Sequence, residues 1–259
     1  MPAPMTRRQI WLAVLIGLLA GFLAGMFGVG GGFLMVPLYI SWLRLEQRKS
    51  HATSLAAIVP IALAGALGDT AQGSVDFSAA IALLAGSVFG ALYGVKLLGQ
   101  VPLKFLQLGF ALLLYSSAAR LFWSSNPQQL LDGWASVALL IAVGFFAGVM
   151  AGLFGVGGGI VMVPALVIAA GMNSIVARGT SLLVIVGSGL SGTWSNLRKK
   201  NIEISYALLS GIAGVPSTFL GVYLSHQVPQ RIALILFAFI LIAIATQQVQ
   251  KARGGSAVH

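Results

Sequence analysis

The sequence predicts an all-α polytopic membrane protein with about ten transmembrane segments, arranged as two inverted-topology repeats of five helices. Short or broken helices are expected at two glycine clusters. Composition gives the first support, because 58% of the 259 residues are hydrophobic and only 8% are charged, whereas about a quarter of the residues of a soluble domain are charged. A chain of this composition is suited to a lipid bilayer. An internal repeat and the placement of basic residues supply the other two observations.

The internal repeat is a block, GLLAGFLAGMFGVGGGFLMVP, that starts at Gly17 and recurs as GFFAGVMAGLFGVGGGIVMVP from Gly144. The shift is 127 positions, and 14 of the 21 aligned positions are identical. The same shift aligns Thr53 with Thr180 without a gap. The repeat therefore predicts two homologous halves, at 10–123 and 134–250, joined by a polar turn.

Each half contains five apolar segments. They are expected at 10–27, 33–45, 51–72, 77–99 and 103–123 in the first half, and at 134–154, 160–171, 178–197, 204–225 and 230–250 in the second. Most of these segments reach the roughly 20 residues that a helix needs to cross a bilayer core of about 30 Å. The segment after each glycine cluster is shorter, so its crossing has to be decided by charge.

The basic residues favour ten crossings with both termini in the cytoplasm. If the first short segment did not cross, the basic loop RLEQRK would face outward, in conflict with Arg7 and Arg8. With ten crossings, three basic residues lie outside, namely Arg120, Arg178 and Arg231. The remaining twelve lie inside, as the positive-inside rule requires: Arg7, Arg8, Arg44, Arg48, Lys49, Lys96, Lys104, Arg198, Lys199, Lys200, Lys251 and Arg253.

An odd number of crossings per half means that the second half enters the membrane upside down. The loops that the repeat aligns differ in charge as this arrangement requires. The loop at 69–76 is acidic, whereas its counterpart at 196–203 is basic. Inverted repeats of this kind are common among secondary transporters, which bind their substrates near the bilayer midplane.

The glycine clusters GVGGG, at 28–32 and 155–159, predict a break in a membrane helix. Four glycines in five positions would weaken a helix by about 1 kcal/mol each. Free backbone groups inside a membrane have to face protein or a water-filled cavity, and N–H groups at a helix start can bind an anion. The candidate amide ligands belong to Gly30, Gly31, Gly32, Gly157, Gly158 and Gly159. The alternative is a tight turn or a packing contact, the role expected of Gly17, Gly21, Gly25, Gly144, Gly148 and Gly152.

Two further stretches add polar candidates inside apolar segments. HATSL, from His51, aligns with RGTSL, from Arg178, and both are expected to open a helix. Arg178 is a candidate attractor for an anion, and His51 is a candidate for a group that changes charge near neutral pH. Hydroxyl donors are expected from Thr53, Ser54, Thr180 and Ser181. In the alternative interpretation the two cations lie at the interface and the hydroxyls bond to backbone. Rim or cap positions are expected for Asp69, Gln72, Trp194 and Asn196.

Several classes of function are disfavoured. There is no cysteine, the three histidines are scattered, and five acidic residues leave no paired membrane carboxylates. The glycine clusters lack the G-K-[ST] of a phosphate loop. The basic residues lie in loops rather than along a nucleic-acid-binding stripe. No cofactor, metal, enzymatic activity or nucleic-acid partner is therefore expected. The expected partners are a small anion, the lipid bilayer and a coupling proton or sodium ion. The oligomeric state is not predicted.

The doubled pattern GxxxGxFGVGGGxxxVP, at 21–37 and 148–164, resembles the sulfite exporter TauE/SafE family of bacterial membrane proteins. The resemblance extends over about residues 10–250. It implies a multi-pass transporter of the cytoplasmic membrane that handles sulfur oxyanions or organosulfonates such as sulfite and sulfoacetate. It assigns no substrate ligand. The predicted function is secondary transport of a small anion by alternating access, with a passive anion channel or an intramembrane enzyme as alternatives.

Overall fold

The computed structural model describes residues 5–122, 133–228 and 230–254. These residues form ten α-helices and no strand. The helices of the first half are α1 (Arg7–Phe27), α2 (Gly32–Trp42), α3 (Gln47–Ala71), α4 (Phe77–Leu98) and α5 (Leu103–Phe122). Those of the second half are α6 (Trp134–Phe154), α7 (Gly159–Ala169), α8 (Ser174–Arg198), α9 (Ile204–Ser225) and α10 (Gln230–Gly254). The polar turn predicted at 124–129 lies outside the described residues.

The helix starts repeat with the same spacing as the sequence. Every helix of the second half begins 127 residues after its counterpart, from Arg7 and Trp134 onward. The predicted starts of α3 and α8 are four residues late, because the chain is already helical at Gln47 and Ser174. Local capping explains the second of these, since the Asn173 side chain accepts the N–H of Ile175 at 2.9 Å and so satisfies one free donor of the first turn.

The predicted helix breaks are present at both glycine clusters. α1 ends with Gly28 in the left-handed region at φ 73°, and Gly155 ends α6 at φ 65°. Positive φ also occurs at Gly30, Gly31, Gly157 and Gly158. Only glycine adopts this conformation without a steric penalty. A methyl group on Gly31 would overlap the carbonyl of Ala20 in α1, so the chain doubles back along the helix that it has just left.

Six of the described helices are long and apolar enough to cross a membrane: α1, α3, α4, α6, α8 and α9. α2 and α7 have 11 residues each, or about 16 Å at 1.5 Å per residue, which is shorter than the hydrocarbon core. In α5 and α10, the structure leaves some side chains undescribed. Length and composition of the described residues therefore support six crossings, and the predicted ten stay a prediction.

Small residues hold the two halves together. Gly17, Gly21 and Gly25 of α1 lie against α9, where an added methyl group would overlap a backbone carbonyl at each position. Gly144, Gly148 and Gly152 of α6 make the equivalent contacts with α4. The packing role predicted for these six glycines is confirmed. Each half thus packs its first helix against the fourth helix of the other half, with backbones in direct contact.

α3 and α8 pair at the centre in opposite directions. Glycine positions give the register, because Gly192 lies against Leu55 and Gly65 lies against Leu182. The residue number rises along one helix as it falls along the other, so two helices related by the repeat run antiparallel. Large apolar side chains on the outer helices, such as Phe89 and Ile212, are exposed. Most of the buried polar side chains of the described residues lie on this central pair, and the outer helices present apolar side chains outward.

Candidate functional site

The two glycine breaks lie against each other at the centre of the molecule. A methyl group on Gly32 would overlap the carbonyl of Gly155, and one on Gly159 would come within 2.7 Å of Val29 Cα. The backbones of the two breaks are therefore in direct contact. The five residues of each break are buried.

The same pair of isoleucines faces both breaks. A methyl group on Gly30 would lie 3.0 Å from Ile58, and one on Gly157 would lie 3.0 Å from Ile185. Ile58 and Ile185 are equivalent in the repeat, and both are fully buried. The junction is thus closed by one apolar side chain from each half.

The breaks also leave backbone donors in this buried junction. α2 and α7 begin after Gly31 and Gly158, which offer no side chain as a cap. In the described part of the chain, no hydrogen bond uses the N–H groups at 30–32 or 157–159. Free N–H groups and the positive end of a helix dipole both favour an anion. Each half therefore places free backbone N–H groups at the junction of the two breaks.

Arg178 is placed beside the first break, near the start of α8. Its Nη2 donates to Asp69 Oδ1 at 2.5 Å, and its Nε donates to Asp69 Oδ2 at 3.3 Å. The side chains are 5% and 0% exposed, so Arg178 does not extend to the surface as an interfacial cation would. Gly28 lies against the stem of Arg178. The ion pair and the first glycine break are therefore adjacent.

His51 occupies the equivalent position at the second break. Its Nδ1 lies 2.6 Å from the carbonyl oxygen of Phe154, an acceptor, so Nδ1 carries the proton. Its Nε2 lies 3.3 Å from Gln47 Nε2, an amide donor, so the ring nitrogen accepts and the imidazole is neutral. Gln107 donates to Gln47 at 2.9 Å. His51 is thus the end of a neutral hydrogen-bonded chain.

Three of the four predicted hydroxyls are bound to backbone of the opposite half. Thr53 accepts the N–H of Glu203 at 3.0 Å, and Thr180 accepts the N–H of Asp76 at 3.0 Å. Ser54 donates to the carbonyl of Gly155 at 2.9 Å. In the described part of the chain, the fully buried hydroxyl of Ser181 has no partner. Of these four hydroxyls, Ser181 is therefore the one that makes no hydrogen bond to the described residues.

Comparison with known proteins places the chain in a family. The family described as sulfite exporter TauE/SafE matches residues 2–121 and 140–258. The chain belongs to this family. It is similar to a probable membrane transporter protein of Haemophilus influenzae, with 28% identity over 93% of this chain and 98% of the relative. The corresponding figures for the probable membrane transporter protein YunE of Bacillus subtilis are 26%, 92% and 96%.

The TauE/SafE match confirms the resemblance expected from the doubled glycine motif. A further relative from Methanocaldococcus jannaschii, also called a probable membrane transporter protein, is 24% identical over 89% of this chain and 91% of its own length. No solved structure is significantly similar to the chain.

Two sequence predictions about this TauE/SafE chain are wrong. Asp69 and Asn196 were expected at the rim or as caps, but both are fully buried. The helix register explains the burial of Asp69, because the antiparallel pairing that sets Leu55 against Gly192 also sets Asp69 against Arg178. Among the four expected rim or cap residues, Gln72 does cap α3 and Trp194 is exposed. The signal that would have found the ion pair was the antiparallel register.

Proposed function

We propose that this TauE/SafE protein is a secondary transporter of a small anion, either sulfite or an organosulfonate such as sulfoacetate, in the cytoplasmic membrane of a bacterium. The transporter names of full-length relatives support the general role. The observation that supports an anionic substrate is the junction of the two glycine breaks, where buried N–H groups of both halves have no hydrogen-bond acceptor among the described residues. Preorganised backbone donors in a dry site bind negative charge strongly.

The proposed topology has ten crossings, two inverted halves and both termini in the cytoplasm. The antiparallel pairing of α3 with α8 supports this topology. Two membrane helices related by the repeat run in opposite directions when the two-fold axis that relates the halves lies in the membrane plane. Basic residues gather at one end, where Lys49 pairs with Glu203 at 2.7 Å and Lys199 donates to the carbonyl of Val95. Arg48 donates there to the carbonyl of Gly99. The positive-inside rule assigns this end to the cytoplasm.

The proposed site has the amides of Gly30, Gly31, Gly32, Gly157, Gly158 and Gly159 around the anion. Ile58 and Ile185 close the junction, so the anion enters only when the two halves move relative to each other. Arg178 attracts the anion on the outer side, and His51 lies on the inner side. The remaining proposed ligands are the hydroxyls of Thr53, Ser54, Thr180 and Ser181.

The two helix starts supply the attraction. α2 and α7 direct the positive ends of their dipoles toward the junction, and each is worth about 0.3–1 kcal/mol for an anion, more when partly buried. Alternating access then exposes the same donors first to one side and then to the other. The energy comes from an ion gradient, with a proton or sodium ion coupled, or from the gradient of the substrate itself.

Flux in proteoliposomes tests the function. Sulfite, thiosulfate, methanesulfonate, sulfoacetate, sulfate and simple carboxylates are offered to the purified protein. We expect saturable uptake and counterflow for a sulfur anion. Flux that neither saturates nor shows counterflow would indicate a channel, and chemical change of the substrate would indicate an enzyme. Gly99→Ala is the control for substitutions at the breaks, because Gly99 is exposed at the end of α4 and an added methyl group there lies 3.7 Å from the nearest atom.

A further inference from the structure

The buried ion pair of Asp69 and Arg178 carries an inference that rests on the proposed function. We infer that Asp69 is the proton-binding residue of the carrier, and that it takes up a proton when the transported anion binds to Arg178. The coupled ion is therefore a proton, and it moves in the same direction as the anion.

A buried ion pair is costly to keep. Removing two charges from water costs several kcal/mol per ion, and replacement of a buried pair by apolar residues is often neutral or stabilising. Ionisable groups in membrane segments are therefore functional by default. This pair joins the last turn of α3 to the second turn of α8, and its side chains are 5% and 0% exposed. At the opposite end of α3 and α8, no buried ion pair joins the described residues of the two helices.

An anion and Asp69 compete for the guanidinium group of Arg178. Asp69 occupies Nε and Nη2 of Arg178, which form one of the two-donor edges that a carboxylate or sulfonate oxygen pair fits. An anion that binds this edge has to displace Asp69. A displaced carboxylate would be left buried beside a second negative charge, and a proton removes that charge. The step is balanced: Asp69 gains one proton from water, the anion takes over the hydrogen bonds of Arg178, and a singly charged anion leaves the site neutral.

Few charged groups of the described residues face Asp69. In the described part of the chain, the charged and titratable groups that face it are Arg178 on α8 and His226 at the end of α9, whose Nδ1 lies 3.5 Å from Arg178 Nη2. Asp76 is turned to its own helix, where it accepts the N–H groups of Ser78 and Ala79 at 3.0 Å. Among the described residues, Asp69 is thus the only carboxylate on the guanidinium. His226 is the other group able to hold the proton.

The backbone connects this pair to the proposed anion site. Gly28, the first residue of the first break, lies against the stem of Arg178, and Gly179 lies against the Cβ of Asp69. A side chain at either glycine would push the pair apart. Arg178 is therefore held between the glycine break and Asp69. When its hydrogen bonds to Asp69 are broken, the Arg178 side chain stays next to the break.

Proton uptake on binding tests the inference. Methanesulfonate, a monoanion that does not titrate near neutral pH, is bound to the purified full-length protein by calorimetry in buffers of different ionisation enthalpy. We expect the wild type to take up about one proton per anion, and its Kd to rise about tenfold per pH unit where that proton is taken up. Asp69→Asn should bind with a Kd that is independent of pH and without proton uptake.

Two matched variants identify the proton acceptor. Glu203→Gln removes the carboxylate of the exposed ion pair with Lys49, and we expect it to keep the wild-type proton uptake. His226→Gln should also keep it. Uptake that disappears in His226→Gln and persists in Asp69→Asn would overturn the inference in favour of the histidine.

The wild-type measurement decides the matter even where Asp69→Asn does not fold. Binding of methanesulfonate without proton uptake would overturn the inference and leave the proposed function standing. Failure of the wild type to bind any sulfur anion at any pH would overturn both. These outcomes are distinct, so the failure of one proposal is not mistaken for the failure of the other.

Discussion

The two ends of the α3–α8 pair are equivalent by sequence and by register, but they differ in charge. At one end Asp69 and Arg178 form a buried ion pair. At the other end the equivalent residues are Asn196 and His51, and both are neutral and fully buried. The two halves therefore share an architecture, whereas the chemistry of the two ends differs.

Backbone contacts at the two ends have stayed the same. Thr53 and Thr180 each accept an N–H from the residue that precedes a helix of the opposite half, at 3.0 Å in both cases. Gly28 lies against Arg178 as Gly155 lies against His51. Because the scaffold is shared, a substitution at one end has a matched control at the other.

The largest expected effect is that of Arg178→Gln. It leaves the Asp69 carboxylate buried without a partner, which costs about 3–5 kcal/mol of folding free energy. His51→Gln removes neutral hydrogen bonds and should cost about 1–3 kcal/mol. Denaturant unfolding of both purified variants measures the difference, and equal losses would show that the ends are not as different as their charges indicate. Since Arg178→Gln affects folding, it cannot by itself separate binding from stability.

A double variant makes the two ends alike. Arg178→His with Asp69→Asn installs the neutral pair of the other end, so most of the stability lost in Arg178→Gln should return. Anion affinity should still fall by about tenfold or more, because a charge-assisted hydrogen bond of roughly 1.5–3 kcal/mol is gone. Binding of methanesulfonate to the purified variant measures this. Wild-type affinity in a folded double variant would remove Arg178 from the anion site.

The glycine breaks give the next smaller effect, and they separate packing from binding. Gly31→Ala would overlap the carbonyl of Ala20 as well as hold positive φ, so its melting temperature should fall most. Gly30→Ala meets only isoleucine side chains, so its loss of stability should stay near the cost of positive φ, about 1–2 kcal/mol. Its anion affinity should fall, because the methyl group enters the junction. Unchanged affinity in Gly30→Ala would favour a packing role for the break.

The smallest effect is expected at the exposed ion pair. The Lys49 and Glu203 side chains are 42% and 36% exposed, so Glu203→Gln should change the free energy of unfolding by less than about 1 kcal/mol. The change should also shrink as salt is added. A loss as large as that of Arg178→Gln would mean that exposure does not explain the contrast between the two ion pairs.

Periodicity and duplication were enough to predict much of the fold. The apolar segments and the spacing of 127 residues predicted the helices, and four glycines in five positions predicted the breaks, because local steric rules fix both. The partners of Asp69 and His51 were not predicted, since they depend on which helices meet and in which direction. Once α3 and α8 are known to pair antiparallel, the position of Asp69 opposite Arg178 follows from the residue numbers alone.

The most direct test of the inverted arrangement is the side from which each end of the α3–α8 pair can be labelled. The chain has no cysteine, so Gln72→Cys and Lys199→Cys introduce single labelling sites, and both positions are exposed. Gln72 follows the charged end and Lys199 follows the neutral end. A membrane-impermeant thiol reagent should label Gln72→Cys from outside the cell and Lys199→Cys only from the cytoplasmic side. Labelling of both cysteines from the same side would contradict the inverted repeat, and with it the two-sided site built on the glycine breaks.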